Sequence, residues 1–154
     1  VLACAVLALT GCGQGGPTPG KAQTAAPSEP THKDFGEFEV HYNALRTDQL
    51  APDVARAYGI ERSANRVMLN VSLLRKNPDG STTPVDGNVT ASAYNLNGQL
   101  KDLQLRRITE GTSFYFIGEV GISGAEILVF DISAVPSGQA AKYSAQFKRE
   151  FFAD

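Results

Sequence analysis

The chain has no Trp, one Met, two Cys and two His among 154 residues. That is too small a stock for a Cys-ligated zinc centre, a Met- and His-rich copper carrier or a tryptophan sugar platform. Nor is there a surplus of either charge. Lys and Arg number 14 against 16 Asp and Glu, a net charge of −2 with a pI of about 5.7. A protein that lives on nucleic acid concentrates basic residues, and this one does not. No apolar run reaches the ~18 residues of a spanning helix. Yet 42% of the residues are hydrophobic, which excludes disorder throughout. One domain of ordinary size is the expectation.

The apolar residues that do cluster stand at the start. Residues 1–9 read VLACAVLAL, followed by Thr10, Gly11 and Cys12. The length suits the hydrophobic region of a signal peptide and is too short to span a bilayer. The first residue is Val1, and no charged region precedes the apolar run; the leader is expected to begin upstream. Leu9-Thr10-Gly11-Cys12 resembles the lipobox of bacterial lipoproteins. That resemblance implies cleavage after residue 11 and lipid on Cys12, with Gly13 at the next position favouring the outer membrane. Each buried CH₂ contributes about 0.8 kcal/mol, so several acyl chains anchor firmly where one anchors marginally. With Cys4 in the leader and Cys12 lipidated, the folded part keeps no thiol for a disulfide or a nucleophile.

Residues 13–34 are a tether by composition. Eight of these twenty-two are Gly or Pro, and none is aromatic, Val, Leu or Ile. Such a chain cannot bury enough surface to offset the entropy of ordering itself. Its flexible span is roughly 25 Å, and about 70 Å when taut. All Phe and Tyr residues come after it, so the folded domain is placed at 35–154.

That domain reads as strands. Phe38, Val40 and Tyr42 alternate with Glu39, His41 and Asn43; Val67, Leu69, Val71 and Leu73 repeat the period of two. Further strands are predicted at 85–96, 100–108, 114–120, 127–132 and 143–151. Asn97-Gly98 suggests a two-residue type I′ hairpin turn, and Asn77-Pro78-Asp79-Gly80 another turn. About seven strands joined by short turns point to an all-β, immunoglobulin-like sandwich, with a small barrel as the alternative. Residues 47–64 interrupt the rhythm. Pro52 and Asp53 suit a helix start and Gly59 a stop, predicting one or two turns over 52–58, with Val54, Ala57 and Tyr58 facing the sandwich.

No nucleophile elbow, phosphate cradle or dinucleotide fingerprint is present, and no enzyme activity or cofactor is expected. The basic doublets Arg75-Lys76, Arg106-Arg107 and Lys148-Arg149 alternate faces and read as sheet-edge guards. The interruption is the candidate partner surface, through Arg56, Tyr58, Arg62, Asn65 and Arg66, because loops on rigid scaffolds carry recognition and Tyr and Arg anchor interfaces. The alternative is a small-ligand or metal carrier on the polar strand face of Glu37, Glu39 and His41. The single Met68 speaks against a Met-rich copper site, and no metal ligand set is assigned.

The run FGEFEVHYNALRTDQLAPDVARAYGIERSANRVMLNVSLL, with NLNGQLKDLQLRRI and YFIGEV, resembles the domain of unknown function 4426, a family of small bacterial envelope proteins. The similarity covers Phe35 to Asp154, and residues 40–63 are its most specific part. It implies an exported, single β-rich domain and supplies no activity. The expected partners are therefore the membrane, through the lipid, and an envelope protein or ligand, without nucleic acid.

Overall fold

The computed structural model describes residues 30–153. The leader, Cys12 and the tether as far as residue 29 lie outside the described residues. Residues 32–152 build a sandwich of two antiparallel sheets, open at their edges rather than closed as a barrel.

The first sheet contains β1 (His32–Asp34), β2 (Phe38–Arg46), β3 (Arg66–Lys76), β4 (Thr82–Val85), β7 (Arg106–Glu110) and β8 (Ser113–Gly121). β3 is its centre. β2 runs along one edge of β3 from Phe38↔Arg75 to Arg46↔Val67. The other edge is shared by β8, opposite Arg66 to Val71, and β4, opposite Leu73 to Lys76. The second sheet has the order β10 (Tyr143–Phe152), β9 (Ala125–Pro136), β5 (Gly87–Asn95), β6 (Leu100–Lys101). Strict alternation drives the layering: Val40, Tyr42, Val67, Leu69, Val71, Leu128, Phe130, Ile132, Phe147 and Phe151 all point inward and are buried. Phe130, Phe147 and Tyr42 stack across the two layers with centroids 4.9 and 4.7 Å apart.

The described residues form ten strands where seven were expected. The surplus comes from β1, β4 and β6, which span two to four residues each, too few to print a period of two. Two expected strands are divided because the chain changes sheets within them. Asp86 separates β4 from β5: its carbonyl accepts Ser137 N at 2.8 Å and its carboxylate accepts Gly87 N at 2.8 Å. Residues 102–105 leave the second sheet after β6 and enter the first at β7, with Leu103 and Leu105 packed on the core. The β5–β6 turn also differs from the two-residue form. Tyr94 pairs with Leu100, so a longer connection bridges the strands, and Gly98 at φ 77° accepts the left-handed conformation it requires. The Asn95 side chain selects this turn, its Oδ1 accepting from Asn97 N and Gln99 N.

Basic side chains close the sandwich along the β10 edge. Lys33 Nζ donates to the Ser144 carbonyl at 3.0 Å, and Arg46 donates to the Phe152 carbonyl. Arg149 returns the contact, donating to Asn43 Oδ1 at 2.7 Å and to the Ala44 carbonyl. These bonds occupy carbonyls that an incoming strand would need. At the far end of the core, Lys101 Nζ meets Glu126 Oε1 at 2.6 Å, both largely buried.

Candidate functional site

The two outer faces of the sandwich differ, and the interruption is the reason. Residues 47–64 fold back over the first sheet as a short 3-10 turn (Thr47–Gln49) and helix α1 (Pro52–Ala57). They cover a second, smaller core in which Ala55 and Ile60 meet Met68 and Ile117, flanked by Leu45, Leu50, Tyr58, Ile108 and Tyr115. Thr47, fully buried, pins the return: its Oγ1 donates to the Ser63 carbonyl and accepts Ser63 N at 2.9 Å. The inward residues are thus Ala55 and Ile60 rather than the expected Val54 and Ala57, which are exposed. Helix α1 is only six residues long, so its register is set by the backbone bond Ile60 N to Ala55 O (2.8 Å) beyond its end, not by an apolar stripe.

Most of the five candidate partner residues are engaged within the chain. The Tyr58 hydroxyl donates to Glu110 Oε2 at 2.7 Å, and its carbonyl accepts Arg106. The bond to Glu110, burial and the carboxylate's charge push the phenol up to about 12. Arg62 donates to the Asp48 carbonyl at 2.5 Å. Asn65 is held by its backbone, between Ser63 Oγ and Ile122 N. Arg66 reaches Glu119 at 3.5 Å from an exposed position. The Arg56 side chain is exposed and makes no ion pair or hydrogen bond among the described residues.

The His41 face is partly assembled. His41 Nε2 lies 2.7 Å from Glu39 Oε2, and β1 brings His32 opposite His41, with ring centroids 5.0 Å apart and planes at 16°. Near-parallel rings direct their lone pairs side by side rather than at one point. Glu37 precedes β2, and no cluster of three His, Cys, Asp or Glu among the described residues is arranged to hold a metal. A concavity of about 330 Å³ lies beside His41, Asn43, Asn70 and Ser72, and the buried Asn70 Oδ1 has no hydrogen-bond partner among the described residues.

The second sheet's outer face is where the chain leaves polar groups open. Register places them in rows across β5, β9 and β10: Thr90, Ser133 and Ser144, then Ser92, Asp131 and Gln146, then Tyr94, Val129 and Lys148. A groove of about 620 Å³ runs over the first two rows, rimmed by Lys33 and Lys142. A second depression of about 440 Å³ adjoins it at Gln146 and is lined by Tyr94, Val129 and Lys148. Gln146 Nε2 donates to Asp131 Oδ1 at 2.7 Å. The Tyr94 phenol is held above its ordinary value by desolvation and by Asp131. No sequence pattern announces this face, because Ser and Thr in strands are commonplace one at a time; only pairing across three strands gathers them.

These features define a β-sandwich domain whose first sheet is capped on part of its outer face by the insertion and polar around His41, while the outer face of its second sheet is polar across three strands. The chain belongs to the DUF4426 family, "Domain of unknown function", which matches residues 32–154. A crystal structure of a DUF4426 family protein from Pseudomonas aeruginosa PAO1 is similar at 34% identity and a TM-score of 0.67, covering 80% of this chain and 94% of that one. FetP of uropathogenic Escherichia coli strain F11 shares the fold at 10% identity and a TM-score of 0.55, over 79% of this chain and 92% of FetP. A copper-bound variant of FetP aligns at 10% identity and 0.54, over 78% and 93%. No curated protein matches the chain.

Proposed function

We propose that this chain is a non-catalytic binding module of the bacterial envelope, exported and held to a membrane through lipid on Cys12, with Gly13 favouring the outer one. The observation that carries the reading is the asymmetry of the two faces. Part of the first sheet's outer face is capped by a dedicated insertion, while the second sheet's outer face keeps a larger polar groove in which the Thr90, Ser92 and Ser133 hydroxyls have no partner among the described residues. The lipobox-like residues 9–12 and the long tether favour a body presented clear of a surface. FetP, a neighbour in fold, was expressed in the periplasm, which accords with that compartment.

In this reading Arg56 and Arg66 form a further contact surface at the insertion, with Tyr58, Arg62 and Asn65 acting as the frame that holds it. Photocrosslinkers installed singly at Ser92, Arg56 and His41 in intact cells test the proposal. Adducts from Ser92 or Arg56 support it, and their absence from both positions rejects it. A second reading, a small-ligand or metal carrier at His41, draws on the orphaned Asn70 Oδ1 and on the copper-bound state of the FetP variant. Copper titration of the native protein and of His41→Ala decides that reading: equal uptake by both removes it.

A further inference from the structure

We infer that the open face of the second sheet binds an acidic saccharide chain. This rests on the binding-module reading and adds the ligand's chemical class.

The centre of the face is built of short hydrogen-bonding side chains. Thr90, Ser133 and Ser144 supply three hydroxyls in one row; Ser92, Asp131 and Gln146 supply a hydroxyl, a carboxylate and an amide in the next. Strands lie about 4.8 Å apart and successive same-face rows about 6.8 Å apart, so donors and acceptors recur in both directions. Each hydroxyl donates once and accepts twice. Among the described residues, the Thr90, Ser92 and Ser133 hydroxyls have no partner, so these groups are available to a ligand. Serine and threonine also lose less rotamer freedom on binding than long polar side chains do.

That chemistry discriminates between ligand classes. A protein interface puts aromatic or aliphatic anchors at its centre and depletes charge there. Here the centre is Ser92, Asp131 and Gln146, and the apolar groups lie to one end, at Tyr94 and Val129. Polar grid and apolar end together suit a sugar chain, which presents hydroxyls at its edges and C–H surface on its ring faces. The groove and its neighbouring depression share Gln146, giving a continuous track rather than a single-ring pocket.

Charge sets the sign. Lys33 and Lys142 border the groove and Lys148 the depression, opposed by Asp131 alone among the lining residues. This local excess of cations sits on a chain whose net charge is −2. Lys142 and Lys148 have no ion-pair partner among the described residues, whereas Arg46, Arg62, Arg106, Arg107 and Arg149 are bound into the framework. Free ammonium groups at the rim attract anions without imposing the bidentate geometry of arginine.

Calorimetric titration of the purified protein tests this with a uronic acid hexamer, a neutral glucose hexamer and inorganic polyphosphate of matched charge. The expected result is saturable binding of the uronic hexamer, at least tenfold weaker binding of the neutral one, and no comparable binding of polyphosphate. Ser92→Ala combined with Gln146→Ala should weaken uronic binding at least tenfold with an unchanged Tm, and Lys142→Glu at least threefold. Polyphosphate binding as tight as the uronic hexamer overturns the inference, as does tighter binding of the neutral oligomer, indifference to the Ser92 and Gln146 substitutions, or no saccharide binding at all. Crosslinks from Ser92 in cells without any saccharide binding would reject the ligand class and leave the binding module standing.

Discussion

Replacing Gly118 with alanine probes how the sandwich is closed on its β6–β7 side. A Cβ at this buried position would lie 2.6 Å from Leu103 Cδ1, 2.7 Å from the Gln104 carbonyl oxygen and 2.8 Å from Leu105 Cδ2. The leucine tips can rotate at modest cost, but the carbonyl is backbone and moves only if the whole crossing segment shifts. Overpacking of this kind costs about 1–3 kcal/mol. The entropic gain of alanine over glycine, roughly 0.4–1 kcal/mol, offsets part of it. For a folded body of about 120 residues, each kcal/mol moves Tm by about 4 °C, so Gly118→Ala should lower Tm by about 5 °C, and by about 10 °C at most. Gly121→Ala is the control: nothing lies within 4 Å of its Cβ, and it should leave Tm unchanged or slightly raised. Thermal unfolding followed by circular dichroism measures both. Equal Tm values for the two variants would refute the packing of residues 102–105 against β8.

Lys101→Met should destabilise the fold by about 2–3 kcal/mol in chemical denaturation, because it strands the Glu126 carboxylate, whose Oε2 has no hydrogen-bond partner among the described residues. Burial disfavours the charged form of Glu126, yet hydrogen bonds from Lys101 and Asn95 outweigh it and hold the carboxyl below its ordinary 4.5. Native stability should therefore fall as pH drops below that value, and the fall should shrink in Lys101→Met. At the alkaline end, Tyr58 adds stability that is intact below pH 10 and lost as pH rises towards about 12. Tyr58→Phe should cost about 1 kcal/mol at neutral pH and flatten that slope; an unchanged slope would show that Glu110 does not hold the phenol. Cys12→Ala should leave the protein unprocessed or soluble, and normal incorporation of labelled lipid by that variant would rule out Cys12 as the anchor.

The long strands were legible because their alternation is long: β2, β3, β9 and β10 each run nine residues or more, and each buries every second side chain for most of its length. The features that escaped were set by neighbours distant in sequence. Asp86 looks like one polar residue inside a strand, and only the Ser137 contact reveals a change of sheet. Met68 and Ile117 read as strand residues facing solvent until the insertion covers them. The insertion drew attention as a recognition surface because it carries Tyr and Arg. The structure shows Tyr58, Arg62 and Arg66 bonded to Glu110, Asp48 and Glu119, partners that no local pattern announces. Conversely, Thr90 lies far upstream of the β9–β10 hairpin that carries Ser133 and Ser144, and only strand register makes the three one row.

Amide chemical-shift mapping during addition of the uronic acid hexamer tests most directly which face is used. The prediction is perturbation concentrated at Ser92, Asp131, Ser133 and Gln146, with β2 and helix α1 unmoved. Shifts centred instead on His41, Asn70 and Ser72, or on Arg56 and Arg66, would contradict it.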